Sequence, residues 1–184
     1  MKLAVVLGAA LLMAACVKPK ALPVLGEIPS FQLISQDGRP FDSSKLEGHV
    51  WVADFIYTTC PGPCPMMSSK MHQLQTTTAE TPDVYLVSMT VDPAHDTPPV
   101  LARYAASFKQ DPARWFFLTG PMDQLNDLGV KAFKLNSVDG NLSHSTRFVL
   151  VDRKRQIRGF YGSTEDAFMP QLTHDIRQLE QERP

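Results

Sequence analysis

The sequence is short of everything that would mark a nucleic-acid binder, a disulfide scaffold or a membrane-spanning protein. Basic and acidic side chains nearly cancel, 18 Lys and Arg against 19 Asp and Glu, for a net charge of -1. Binding a phosphate backbone calls for a basic face, which this balance does not supply. Three cysteines in 184 residues are too few for the framework of a disulfide-dense secreted domain. No apolar run reaches the ~20 residues that a spanning helix needs. Disorder is excluded as well, because 43% of the chain is hydrophobic, enough at this length for one buried core. Only proline is in excess: fifteen residues, about 8% against a usual ~5%, predict proline-shaped loops.

So few cysteines have to be explained one by one, since an odd number leaves a remainder. Cys16 closes an N-terminal address. Lys2 supplies a positive charge, Leu3 to Met13 is a short apolar run, and Ala14 and Ala15 are small residues ahead of Cys16. This is the layout of a secretory signal. Leu12-Met13-Ala14-Ala15-Cys16 resembles the lipobox of bacterial lipoproteins, which implies removal of residues 1–15 and lipid on Cys16. Residues 16–26, with Pro19 and Pro23, then read as a tether of roughly 30 Å at ~3 Å per residue. Residues 27–184 show no internal boundary or repeat and read as one domain. The expected setting is the periplasm or another extracytoplasmic membrane face, where thiols can be oxidised. Cys60 and Cys64 remain for chemistry.

Hydrophobic patterning predicts the elements around them. Ile28 to Ser35, followed by Gln36-Asp37-Gly38-Arg39, reads as a strand and a hairpin turn. Val50 to Tyr57 and Val84 to Val91 are nearly continuous apolar runs, as buried strands require. Met67, Met71 and Leu74 place a helix after the cysteine loop, whose prolines and glycine exclude regular structure from Thr58 to Pro65. Thr97 with Pro98 opens a second helix, with Leu101 and Phe108 on one face. Trp115 to Leu118 is a short strand. A stripe of Met122, Leu125 and Leu128 should end at Gly129. Phe148 to Asp152 and Ile157 to Tyr161 form paired strands, and a last helix starts at Pro170 with Leu172, Ile176 and Leu179 inside. The sum is an α/β fold with a mixed central sheet flanked by helices.

Cys60 and Cys64 sit just beyond the carboxyl end of a buried strand, where open α/β sheets build their sites. At a helix start the amides would favour a thiolate, which serves as nucleophile and as soft-metal ligand. A structural disulfide would close too small a loop to stabilise much. A redox dithiol is open, although thioredoxin-type motifs use two intervening residues and not three. A metal site is open too: two thiolates suit Cu(I), and an added imidazole makes a set that also accepts Cu(II). Of the five histidines, His49, His72 and His174 read as surface residues and His95 as a loop residue. His144 stands in a polar loop, Asn141 to Thr146, directly before a strand.

At this point the residues resemble a known family. Tyr57-Thr58-Thr59-Cys60-Pro61-Gly62-Pro63-Cys64-Pro65 is similar to the Y-T-x-C-P-x-x-C-P signature of the Sco/SenC family. Val91-Asp92-Pro93-Ala94-His95-Asp96-Thr97-Pro98 resembles its V-D-P-x-x-D-T-P, Trp115 with Leu118-Thr119-Gly120 its W-x-x-L-T-G, and His144-Ser145 leading to Val151-Asp152 its H-S…D segment. The resemblance implies a thioredoxin-like fold, membrane tethering, and copper delivery to the CuA centre of cytochrome c oxidase. It implies Cys60, Cys64 and His144 as the copper ligands, with Cys60 and Cys64 also the pair for thiol–disulfide activity. Many members carry an acid between the cysteines where this chain has Gly62. Asp96 reads as loop and cap chemistry. The alternative function is a membrane-tethered thiol–disulfide reductase acting on a partner's cysteines. A peroxidase is a further option, since Tyr57-Thr58-Thr59-Cys60 faintly resembles a peroxidatic T-x-x-C motif. No nucleic-acid partner is expected.

Overall fold

A computed structural model describes residues 20–81, 83–135 and 146–182; Cys16 and His144 lie outside them. The strands are β1 (Gly26–Glu27), β2 (Gln32–Ser35), β3 (Pro40–Asp42), β4 (Val50–Ile56), β5 (Val84–Thr90), β6 (Trp115–Thr119), β7 (Arg147–Val151) and β8 (Gln156–Gly162). The helices are α1 (Pro63–Thr77), α2 (Pro98–Ser107), α3 (Met122–Asp127) and α4 (Phe168–Gln181). Among the described residues no helix is long and apolar enough to cross a membrane.

The two most apolar runs of the sequence pair in parallel at the centre of one sheet, ordered β1-β8-β7-β4-β5-β6-β2-β3. β4, β5 and β6 are parallel, joined by helical crossovers; the remaining pairs are antiparallel. All seven residues of β4 are buried, because helices cover one face and α3 with the amino-terminal segment covers the other. Alternate residues therefore feed two cores. Val50, Val52 and Ile56 join Met67, Met71 and Leu74 of α1, Leu101 of α2, and Leu172, Ile176 and Leu179 of α4. Trp51, Ala53 and Phe55 join Leu125, Leu128 and Phe133 on the opposite side.

The expected mixed α/β architecture is present, with five local differences. α1 begins at Pro63, inside the stretch expected to be irregular, because the first turn of a helix has no use for the N–H that proline lacks. Gly129 does not stop the Met122 stripe. The chain continues as a π turn over Leu128–Ala132 and ends where Lys134 takes a left-handed conformation, φ 57°. Thr97 occupies the cap position of α2, but its hydroxyl makes no capping bond; Pro98 and Pro99 have no N–H to offer it. α4 starts at Phe168, two residues before Pro170. The Ile28 to Ser35 strand is pared to Gln32–Ser35, since Pro29 cannot donate to a ladder. The Asp-Gly hairpin forms as expected, with Gly38 at φ 79° and the Asp37 carboxylate accepting the Arg39 N–H.

Candidate metal centre

β4 ends at Ile56, and the chain turns at once through Tyr57 to Cys60, the Cys60 N–H donating to the Tyr57 carbonyl at 3.2 Å. A second loop, following β5, is fastened to this turn. Asp96, fully buried, accepts the Thr58 N–H at 3.1 Å, the Thr58 hydroxyl at 2.5 Å and the Thr90 hydroxyl at 2.5 Å. The Asp96 N–H in turn donates to the Asp92 carbonyl at 2.8 Å. The motif Asp96 thus does more than cap its own loop: its carboxylate ties the start of the cysteine loop to the neighbouring strand.

The two cysteines are unbridged and buried, Cys60 6% exposed and Cys64 not at all. Their environments differ. Burial alone would raise the Cys60 thiol, but its sulfur accepts the N–H of Cys64, the thiol of Cys64, the N–H of Gly62 and the Tyr57 hydroxyl. Together these bring its pKa below the ordinary thiol value. The donors lie at the start of α1, where amides and helix dipole favour an anion. Burial pushes the Cys64 thiol well above the ordinary range, reinforced by the Cys60 sulfur beside it and the charge of Asp54; the Tyr57 N–H opposes this in part. The pair is one thiol made easier to ionise beside one made harder, close enough to share a hydrogen bond.

Among the described residues no His, Asp or Glu joins the cysteines to make a cluster of three metal-ligating side chains. His144, the third ligand implied by resemblance, lies outside the described residues. The described chain resumes at Thr146 and enters β7, antiparallel to β4 with Val149 opposite Ala53. Thr146 therefore stands at the same end of the sheet as the cysteine loop. His95 and His174 are exposed. His49 is half-buried rather than an exposed turn residue, because it stacks on Tyr85 with ring centroids 4.2 Å apart. His72 is half-buried too, its Nδ1 shielded from solvent within α1. At Gly62 a Cβ would meet nothing within 4 Å, so the position that carries an acid in many members is open.

Sequence reasoning passed over Asp54. It lies mid-strand in β4 with no exposure, and the Ser88 hydroxyl beside it on β5 gives its carboxylate no more than a poorly aligned hydrogen bond. Burial raises its pKa to about 7, with the Ser88 hydroxyl of β5 pulling the other way. The signal was present as a single acid inside the apolar run Val50 to Tyr57.

A mixed sheet with a parallel centre, helices over it, and a reduced dicysteine pair at the start of the first helix together define a thioredoxin-like domain with a dithiol site. The family within that class is fixed by comparison. The SCO1/SenC family model matches residues 24–180, and the chain belongs to that family. The SCO1 protein homolog of Bacillus subtilis is 32% identical over 161 residues, covering 84% of this chain and 83% of its own. A Stutzerimonas stutzeri protein named as a candidate copper-binding protein is 35% identical over 147 residues, 75% of this chain and 70% of its own. The crystal structure of a SCO1/SenC family lipoprotein from Bacillus anthracis superposes with a TM-score of 0.80 at 30% identity, covering 88% of this chain and 99% of that one. BsSco, described as a member of the Sco family of cytochrome c oxidase assembly proteins with a disulfide switch, superposes at 0.77 with 29% identity, covering 89% and 100%.

Proposed function

We propose that this chain is a membrane-tethered copper metallochaperone serving cytochrome c oxidase assembly. It binds copper through Cys60, Cys64 and His144 and passes it to the CuA-bearing subunit. The observation that carries this reading is the unbridged cysteine pair, with the Cys60 thiol made easier to ionise. Two thiolates are soft donors matched to Cu(I), and the His144 imidazole completes a set that also admits Cu(II). Support comes from the Stutzerimonas relative named for copper binding and from BsSco, of the oxidase assembly family. A lipid on Cys16 would hold the domain at an extracytoplasmic membrane face, as befits a relative of the Bacillus anthracis lipoprotein. Copper leaves by ligand exchange, because the cysteines that hold it sit on a loop and a helix start at the carboxyl end of the central strands. Oxidation of Cys60 and Cys64 to a disulfide removes both thiolates, so the redox state of the pair gates the cargo.

A second reading is favoured by the split acidity of the two thiols. A thiol made easier to ionise beside one made harder is the arrangement of nucleophile and resolving thiol in a thiol–disulfide reductase. Deleting the gene and assaying oxidase activity separates the two. Rescue of lost activity by added copper supports the metallochaperone; rescue by added reductant alone supports the reductase. Undiminished oxidase activity contradicts both.

A further inference from the structure

The segment that leads into the sheet is bonded to the domain from its first described residue onward. The Lys20 carbonyl accepts the Gln178 side chain of α4 at 2.8 Å. The carbonyls of Leu22 and Pro23 accept the Arg158 guanidinium at 2.8 and 3.3 Å. The Leu25 N–H donates to the Ile157 carbonyl and the Ile28 N–H to that of Arg155, both at 2.8 Å. β1 lies between them, paired with β8. Val17, Lys18 and Pro19 are all that separates Cys16 from this bonded stretch, so Cys16 reaches at most about 14 Å from Lys20. A lipid on Cys16 would therefore bring the surface around Lys20 against the bilayer.

That surface is composed for such a neighbour. Val24 and Leu25, 57% and 44% exposed, are the two most exposed large apolar side chains of the described residues. They are adjacent, and four exposed cations flank them. Lys20 precedes them in the chain, and Arg177 stands beside Gln178 on α4. Lys154 lies in the turn before β8, next to Arg155. The Lys134 Cε is 3.9 Å from where a Cβ on Gly26 would stand. None of the four side chains enters an ion pair among the described residues. The neighbouring acids are engaged, Asp152 and Glu182 with Arg158 and Glu180 with Arg153; Glu27 is an exposed exception. The hydrogen bonds explain why the segment is held, but not why its outer side is apolar and basic.

We propose that this edge of the sheet docks on the anionic phospholipid surface of the membrane that carries the anchor. The inference rests on the membrane-tethered reading of the chain. Val24 and Leu25 enter the interfacial layer, and Lys20, Lys134, Lys154 and Arg177 meet the phosphates of the head groups. The bilayer is favoured over a protein partner because a lipid on Cys16 holds it within reach of this surface. β8 runs in the same direction as β4, so its first residues, which β1 covers, lie at the end of the sheet away from the cysteine loop. β7 and β8 also stand between β1 and β4. Docking therefore leaves Cys60 and Cys64 accessible to a partner while the domain is held down.

The test uses the full-length chain with its lipid confirmed by mass, on vesicles of phosphatidylcholine with or without phosphatidylglycerol. Acetic anhydride labels exposed lysines, and peptide mass spectrometry gives the rate at each. Lys134 and Lys154 should label at least about fivefold more slowly on the anionic vesicles. Lys45, which stands over Phe41 on the far edge strand β3, should label equally on both. The protection should vanish at high salt, which screens the head-group charge. It should also vanish in a variant carrying Val24→Ser, Leu25→Ser and Arg177→Glu. Equal rates at Lys154 on the two kinds of vesicle overturn the proposal, as does equal slowing of Lys45. Protection that survives in the triple variant shows that nearness to the anchor suffices, and overturns it too. If that variant does not fold, protection of the parent that is indifferent to salt overturns the proposal by itself. A chain that carries no lipid on Cys16 and stays off both kinds of vesicle overturns the membrane-tethered reading and the proposal with it.

Discussion

The two ends of the central sheet are built on different terms. At the end where β4 begins, charged groups are numerous and the buried ones are paired. Arg158, 8% exposed, bonds to Asp152 at 2.8 Å and Glu182 at 3.1 Å, and donates to the carbonyls of Leu22 and Pro23. Arg153 holds Glu180 at 2.8 Å and the Leu179 carbonyl at 2.7 Å. Asp152 also accepts the N–H groups of Lys154 and Gln156. These bonds fasten the incoming segment to the last helix, a purely structural task. At the end where β4 stops, the polar groups are few and their acidities are displaced: a thiol made easier to ionise, a thiol made harder, and nearby in the strand an acid kept from ionising. Saturated polar networks hold a fold together, whereas perturbed and unsaturated ones point to chemistry.

If the comparison holds, damage to one end should leave the other intact. Arg158→Ala should have the largest effect on stability, about 3–5 kcal/mol, because it strands the buried Asp152 without its cation. Under conditions where the variant is folded, Cys60 alkylation kinetics should match the parent; altered kinetics would mean that the two ends are coupled. Asp96→Ala should cost about 3 kcal/mol in chemical denaturation by orphaning the Thr58 and Thr90 donors. It should also move the Cys60 alkylation profile to higher pH, since the loop that aligns its donors is loosened.

Asp54→Asn should act in the opposite sense. The folded chain keeps this acid protonated up to about pH 7, whereas the unfolded chain ionises it near 3.8. The unfolded state is therefore favoured progressively between pH 4 and 7, by up to about 4 kcal/mol above that window. Part of this should return on substitution, a gain of about 2 kcal/mol at pH 8 after the unpaired amide is counted. The decline in stability between pH 4 and 7 should flatten in denaturant titrations. A loss of stability at pH 8 would show that Asp54 is a structural group after all. The smallest change is expected from Tyr57→Phe, which removes one donor to the Cys60 sulfur. Its alkylation midpoint should rise by less than about one pH unit, with stability nearly unchanged.

Much of this was legible in the sequence. The two apolar runs that became β4 and β5 and the Met67-Met71-Leu74 stripe owe their form to local patterning, and the structure places them as read; only the cysteine loop is shorter than expected, because α1 already starts at Pro63. What was not legible depended on partners distant in the chain. β1 is two residues that become a strand only by pairing with Gln156 and Ile157. Gly129 could have ended its helix, but Leu128 and Phe133 have a core to reach, and a π turn delivers them. Asp96 read as a local cap because its bonds to Thr58 span 38 residues. Asp54 went unremarked because an acid among apolar residues gains its meaning from groups distant in the chain, here Cys64 and Tyr104 of two different helices, whose acidities its charge lowers.

The central claim is that copper is held by Cys60, Cys64 and His144. Its most direct measurement is copper retained by anaerobically purified protein in competition with a Cu(I) chelator, comparing the parent with Cys60→Ser, Cys64→Ser and His144→Ala. The account predicts one copper per parent chain, loss of tight binding in both cysteine variants, and clearly weakened retention in His144→Ala. Equal retention by the parent and His144→Ala would contradict the assigned ligand set.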